Sequence, residues 1–144
     1  MSTDPLGDAI ADIQTKVLAL TIVTINSAPT NPPEALTGAY PFAVTYPSDV
    51  DYDFKMGGIG RGDNNITTQI HWTRQNLPTA IAAARPVERE FMKKLFADPT
   101  LSRTVVAIKH IHGKFGFLQW ADKEDIHIGW DFTITVAIRE VASL

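Results

Sequence analysis

Two histidines spaced two apart, His110 and His112, are the most suggestive chemical pair in this chain. On a β-strand, residues at that spacing share a face, so both imidazoles can reach one metal ion. His127 or His71 would supply a third ligand, giving a small metal- or ligand-binding module. Against that, no carboxylate stands at a completing spacing. The segment GKFG (113–116) reads as a turn, which would leave both rings hydrated at a strand end.

Other segments imitate known chemistry without its spacing. GGIGRG (57–62) is glycine-rich, but a dinucleotide fingerprint needs GxGxxG between a strand and a helix, and a phosphate loop ends in GK[ST]. Asp49, Asp51 and Asp53 alternate, without the glycine and distal glutamate of a calcium-binding EF-hand loop. Arg61-Gly62-Asp63 spells an adhesion tripeptide, yet the acidic, polar opening MSTDPLGD predicts no secretion signal. There is no nucleophile elbow, no HExxH and no cysteine to partner a histidine. Lys109, Lys114 and Lys123 are too few, and too mixed with acids, to form a nucleic-acid track. Neither an enzyme nor a cofactor is expected.

The elements that would position any site come next. A chain of 144 residues predicts one domain, 1–144, able to bury a proper core. Its 44% apolar and 20% charged residues are ordinary for a globular protein, and a net charge of −3 gives no drive toward acidic surfaces. No apolar run is long enough to cross a membrane, so the cytoplasm is the default compartment. Thr3-Asp4-Pro5 offers a helix N-cap followed by proline, and Leu6, Ile10, Ile13, Val17 and Leu20 continue it as one apolar stripe. Residues 26–41 hold four of the nine prolines and read as an extended loop. Phe42, Val44 and Tyr46 predict a short strand ending at Pro47. Residues 47–65 read as a glycine-rich protruding loop or hairpin, and Ile66, Thr68, Ile70 and Trp72 as a second strand. A helical region interrupted by Pro86 follows, with Val87, Phe91 and Leu95 as its later stripe. Thr104–His112 and Phe117–Trp120 are expected as two strands flanking the GKFG turn.

The last element is the clearest. From Ile126 to Val141 the even positions up to Ile138 are all apolar, among them Trp130 and Phe132. The odd positions carry His127, Gly129, Asp131, two threonines, Ala137 and Arg139. Extended, that run reaches about 50 Å, whereas a sphere of this chain's size is about 40 Å across. It must bend, or leave the globule and meet something else. The order of elements predicts an α+β fold: a mostly antiparallel sheet flanked by two helical regions, with a long C-terminal strand.

In that order of parts the chain resembles the tail terminator (tail-completion) proteins of tailed bacteriophages. An amphipathic N-terminal helix, a proline-rich stretch leading to Tyr40-Pro41-Phe42, a long polar hairpin-like loop, a central helix and the aromatic strand GWDFTITVAIRE carry the resemblance over nearly the whole chain. It implies a homo-hexameric ring that caps the tail tube, ends its polymerisation and joins it to head-closure and neck proteins. DNA would pass transiently through the channel. The protein would be assembled in the host cytoplasm, with a final place in the virion and no membrane partner. Met56, Ile59 and Arg61 at the hairpin tip, with Asp131 and Arg139 on the polar side of the last strand, are the expected interface residues. Trp72, Phe91, Trp130 and Phe132 are the expected core. Alternatives are another neck protein, a head-closure or connector component, the His110/His112 ligand-binding module, or a toxin-like or regulatory dimer joined through the final strand.

Overall fold

The computed structural model describes residues 4–27, 41–55, 59–72, 77–119 and 126–141. They form an α+β fold in the order α1 (Pro5–Leu18), β1 (Asn26–Ser27), β2 (Phe42–Lys55), β3 (Ile59–Trp72), α2 (Leu77–Ala84), α3 (Val87–Phe96), β4 (Ala107–Gln119) and β5 (Ile126–Val141). The strands make one sheet in the order β1-β2-β3-β5-β4. Every neighbouring pair is antiparallel except the two-residue β1, which runs parallel to Phe42–Ala43. The stretch 28–40, the tip 56–58 and residues 120–125 lie outside the described residues.

Local chemistry sets the helices. The Asp4 carboxylate accepts from the Gly7 N–H at 3.0 Å, and Pro5 stands where its missing N–H has no partner to lose. Ala9, Ile13 and Val17 are fully buried along one stripe of α1. Pro86 divides α2 from α3 as its position in the sequence predicts, because a proline inside a helix removes a hydrogen bond and clashes with the preceding turn. All three helices pack on one face of the sheet. Gln14 of α1 meets Ala43 and Thr45, Trp130 Nε1 donates to Ala84 O of α2, and Phe91 of α3 lies 5.2 Å from Phe132. The expected core residues Trp72, Phe91 and Phe132 are buried, while Trp130 is half-buried between Phe132 and Phe115.

Three strand expectations need correction. β2 does not end at Pro47 but runs on to Lys55, with a register shift between Pro47 and Asp49, where a proline costs the ladder little. β4 begins at Ala107 rather than Thr104. The residues before it, Leu101, Ser102 and Arg103, adopt left-handed φ angles of 49°, 58° and 67°. Each such residue costs about 1–2 kcal/mol. Burial of Leu101 and the Asp98 carboxylate, which accepts from Ser102 N at 3.0 Å and pairs with Lys16 at 2.9 Å, hold the turn. Those same two partners keep the Asp98 carboxyl below its ordinary range. Finally, GKFG makes no turn: β4 continues through it, paired residue by residue with β5. Gly113 faces Phe132, whose ring lies where a side chain on residue 113 would begin. The glycine is there to admit a cross-strand aromatic.

Gly129 is tighter still. A Cβ there would run into the Ile70 carbonyl oxygen, a backbone atom that cannot yield, whereas Gly116, directly opposite, has open space around it. Gly129→Ala is therefore expected to cost about 3 kcal/mol or more in urea-unfolding measurements. Gly116→Ala should be neutral or stabilising by about 0.5–1 kcal/mol.

Candidate functional site

The helix-free face of the sheet is not simply a wet surface. Phe42, His71 and Gly129 occupy one row across β2, β3 and β5. The Phe42 and His71 rings stack, with centroids 4.7 Å apart and planes within 7°. His127, two residues before Gly129, sets its ring edge-on to both. His71 is fully buried and His127 nearly so, with their Nδ1 atoms 2.9 Å apart.

The tautomers follow from the chain of polar contacts. Gln69 Nε2 lies 3.3 Å from Asp131 Oδ2 and 3.2 Å from the Tyr46 hydroxyl, and only an amide N–H can donate to a carboxylate. Gln69 Oε1 is thereby turned toward His71 Nε2, 3.0 Å away, which must be the protonated nitrogen. His71 Nδ1 is then an acceptor, and His127 Nδ1–H donates to it. Burial, with the neighbouring His127 as a second cause, lowers the His71 pKa from 6.5 to about 3. The pair is a hydrogen-bonded brace between β3 and β5.

The alternative grouping of His110 and His112 with His127 or His71 does not come together. His110 and His112 are exposed on β4, opposite Thr135 and Thr133, and lie mid-strand rather than at a strand end. His127 is six residues along β5 from Thr133, roughly 20 Å away, and pairs in register with Leu118. Of the expected interface residues, Met56 lies outside the described residues. Ile59, Arg61 and Arg139 lie on paired strands, with Arg61 between Asp53 and Arg139 in register. Asp131 is half-buried and already accepts a bond from Gln69.

The sheet edges carry charge as well. Among the described residues β4 pairs only with β5, and β2 is unpaired on its outer side from Val44 onward. Exposed Asp49 and Asp51 stand on one edge, and exposed His110, His112 and Lys114 on the other. Among the described residues the ion pairs are Lys16 with Asp12 and Asp98, and Lys109 with Asp63, so none involves these edge groups.

The histidine brace fixes the sign of a pH effect. In the unfolded chain His71 titrates near pH 6.5, but in the fold it resists protonation down to about 3. Its contribution is complete above pH 6.5 and declines as pH falls, by up to about 1.4 kcal/mol per unit. Urea midpoints at pH 7.5 and 5.0 should show wild type losing about 2 kcal/mol more than His71→Gln.

No model of a known protein family matches the chain, and no curated protein sequence matches it either. Its function has to be argued from the sheet and its edges.

Proposed function

We propose that this chain is a structural protein of a tailed-phage neck. Copies would form a ring, six in the arrangement the resemblance implies, on the end of the tail tube. The ring stops tube polymerisation and offers the surface to which head-closure proteins join, with DNA crossing its channel. No chemical step is asked of it, and its destination is the virion.

The observation that carries this reading is the shape of the sheet. β2, β3 and β5 have 14, 14 and 16 residues, so they run about 46–53 Å. The longest helix, α1, has 14 residues and spans about 21 Å. A sheet more than twice as long as its covering helices, with long edges unpaired among the described residues on both sides, supports completion by neighbours. Unpaired N–H and C=O groups recruit other strands, and past the register shifts at Pro47/Asp49 and Ile108/His110 both edge strands run on regularly. The titratable groups within the fold have structural work instead. His71 and His127 brace two strands. The Glu90 carboxylate, despite the upward push of desolvation, is held below its ordinary pKa by bonds from Thr21 and Ile22.

Light scattering of the tag-free protein across a concentration series, with negative-stain imaging, tests the reading. Rings of about 95 kDa are expected from six 15.8 kDa chains, or recruitment of the protein to the ends of added tail tubes. A strict monomer that tubes do not recruit would overturn it.

A further inference from the structure

We infer that copies of this chain join head to tail, β4 of one chain adding beside β2 of the next, so that one antiparallel sheet continues from copy to copy. The inference rests on the ring reading above and names its interface: an ordinary strand-to-strand ladder between two oppositely charged edges of the same sheet.

Four observations converge on it. The first is that both edges are open. Among the described residues no strand pairs with β4 on its outer side, where the Pro99 carbonyl takes the Ile108 N–H at 2.8 Å, or with β2 beyond Ala43. The second is the distribution of charge. Asp49, Asp51 and Asp53 alternate along β2, and His110, His112 and Lys114 alternate along β4. In register the acids stand opposite Asn65, Asp63 and Arg61, which in turn stand opposite Thr135, Ala137 and Arg139. The β4 residues stand opposite Thr135, Thr133 and Asp131. All six positions therefore belong to one face of the sheet, the helix-free one. A copy that continues the sheet keeps that face on the same side, so the two ladders meet.

The third is strand direction. From β2 through β3 and β5 to β4 each neighbour is antiparallel, so β2 and β4 point in opposite directions within one chain. A head-to-tail repeat then sets β4 antiparallel to the next β2 without inverting either chain. With two strands between the edge strands, the alternation of inward- and outward-pointing backbone groups is also in step at both. The register that puts Lys114 opposite Asp49 and His112 opposite Asp51 puts His110 opposite Asp53.

The fourth concerns the other face. The same register places Val50, half exposed at 51%, opposite Gly113. Beside that glycine, whose own side-chain space the Phe132 ring fills, opens a shallow pocket lined by Glu88, Met92, Ile111, Trp130 and Phe132. An aliphatic side chain from one copy would seat on the aromatic floor of the next.

Charge also selects against the alternatives. Two β2 edges would set aspartates against aspartates, which disfavours a two-fold dimer there, and two β4 edges would set Lys114 among imidazoles with no opposite charge to meet. Only the unlike pairing is attractive, and a contact between two different patches makes a ring when its rotation closes.

The chain has no cysteine, which permits a direct test. With Asp51→Cys and His112→Cys in one chain, a mild added oxidant should give a ladder of disulfide-linked species beyond the dimer, both free and on tail tubes. Either substitution alone should give dimers at most, and Asp51→Cys with the exposed Phe117→Cys should give no ladder. In parallel, Asp49→Lys with Asp51→Lys, and Lys114→Glu with His112→Asp, should each weaken assembly at least about tenfold. Mixing the two variants should restore it, because each then meets an edge of opposite sign. Circular dichroism and urea midpoints confirm that the variants fold. Rings that persist in both charge variants and give no ladder would overturn the edge pairing while leaving the ring reading intact. Absence of ladder, rings and recruitment together would overturn both.

Discussion

Everything in this fold is fitted to the demand that β5 be paired on both sides. Its 16 residues sit between β3 and β4, with β3 in register from Ile128 to Val141 and β4 from Ile126 to Ala137. A strand buried in the middle of a sheet cannot leave its N–H and C=O groups unanswered, since each unpaired one would cost about as much as a lost hydrogen bond. The neighbours must therefore be nearly as long as β5, and β3 and β4 have 14 and 13 residues. For that reason β4 runs straight through GKFG and β3 extends back to Ile59, although neither segment has strong strand composition. The glycines that look like a turn, Gly113 and Gly116, are tolerated because β5 supplies their ladder. Gly113 further clears the space that the Phe132 ring takes in the core.

Phe132 links that ladder to the helices. It packs against Phe91 of α3, stacks on Trp130 at 5.2 Å and leans over Gly113. Through it the position of α3, and of the α1 stripe packed with it in one buried cluster, depends on the register of β4 against β5. A slip of one residue would carry Phe132, Ile134, Val136 and Ile138 to the other face together, which is why such a strand holds one register. The long strand thus needs no sharp bend and does not leave the globule unpartnered. Its length is accommodated by pairing.

The parts of the fold written in local periodicity were legible: the capped amphipathic α1, the Pro86 break and the bounds of β5. What was not legible depended on register between strands, which a single sequence does not state. Phe42, Val44 and Tyr46 look like a set that faces the same core as Ile128 and Phe132. Because Phe42 pairs with His71, and His71 with Gly129, that set lies on the opposite face. There Phe42 stacks on His71, and the two histidines at nominally solvent-facing positions are buried beside it. Asn64 and Thr68 show the converse. They share the parity of Ile66 and Ile70 and are buried on the helix side despite their polarity. The candidate site was legible as residue types, the alternating acids and the histidine-lysine run. Their placement on opposite edges and one face was not, since that needs the strand order β2-β3-β5-β4.

That strand order bears on why the edges are charged at all. A lone protein protects an open edge with charges that repel every incoming strand, its own copies included. Here the protection is of one sign on each side, with Asp49 and Asp51 on β2 and Lys114 among histidines on β4. The aspartate edge repels its own kind, and the two edges attract one another. A monomer gains nothing from that asymmetry, whereas a ring gains both specificity and direction. On the proposed reading the protein keeps its edges open because assembly completes the sheet, and keeps them oppositely charged because only one order of assembly produces a closed ring.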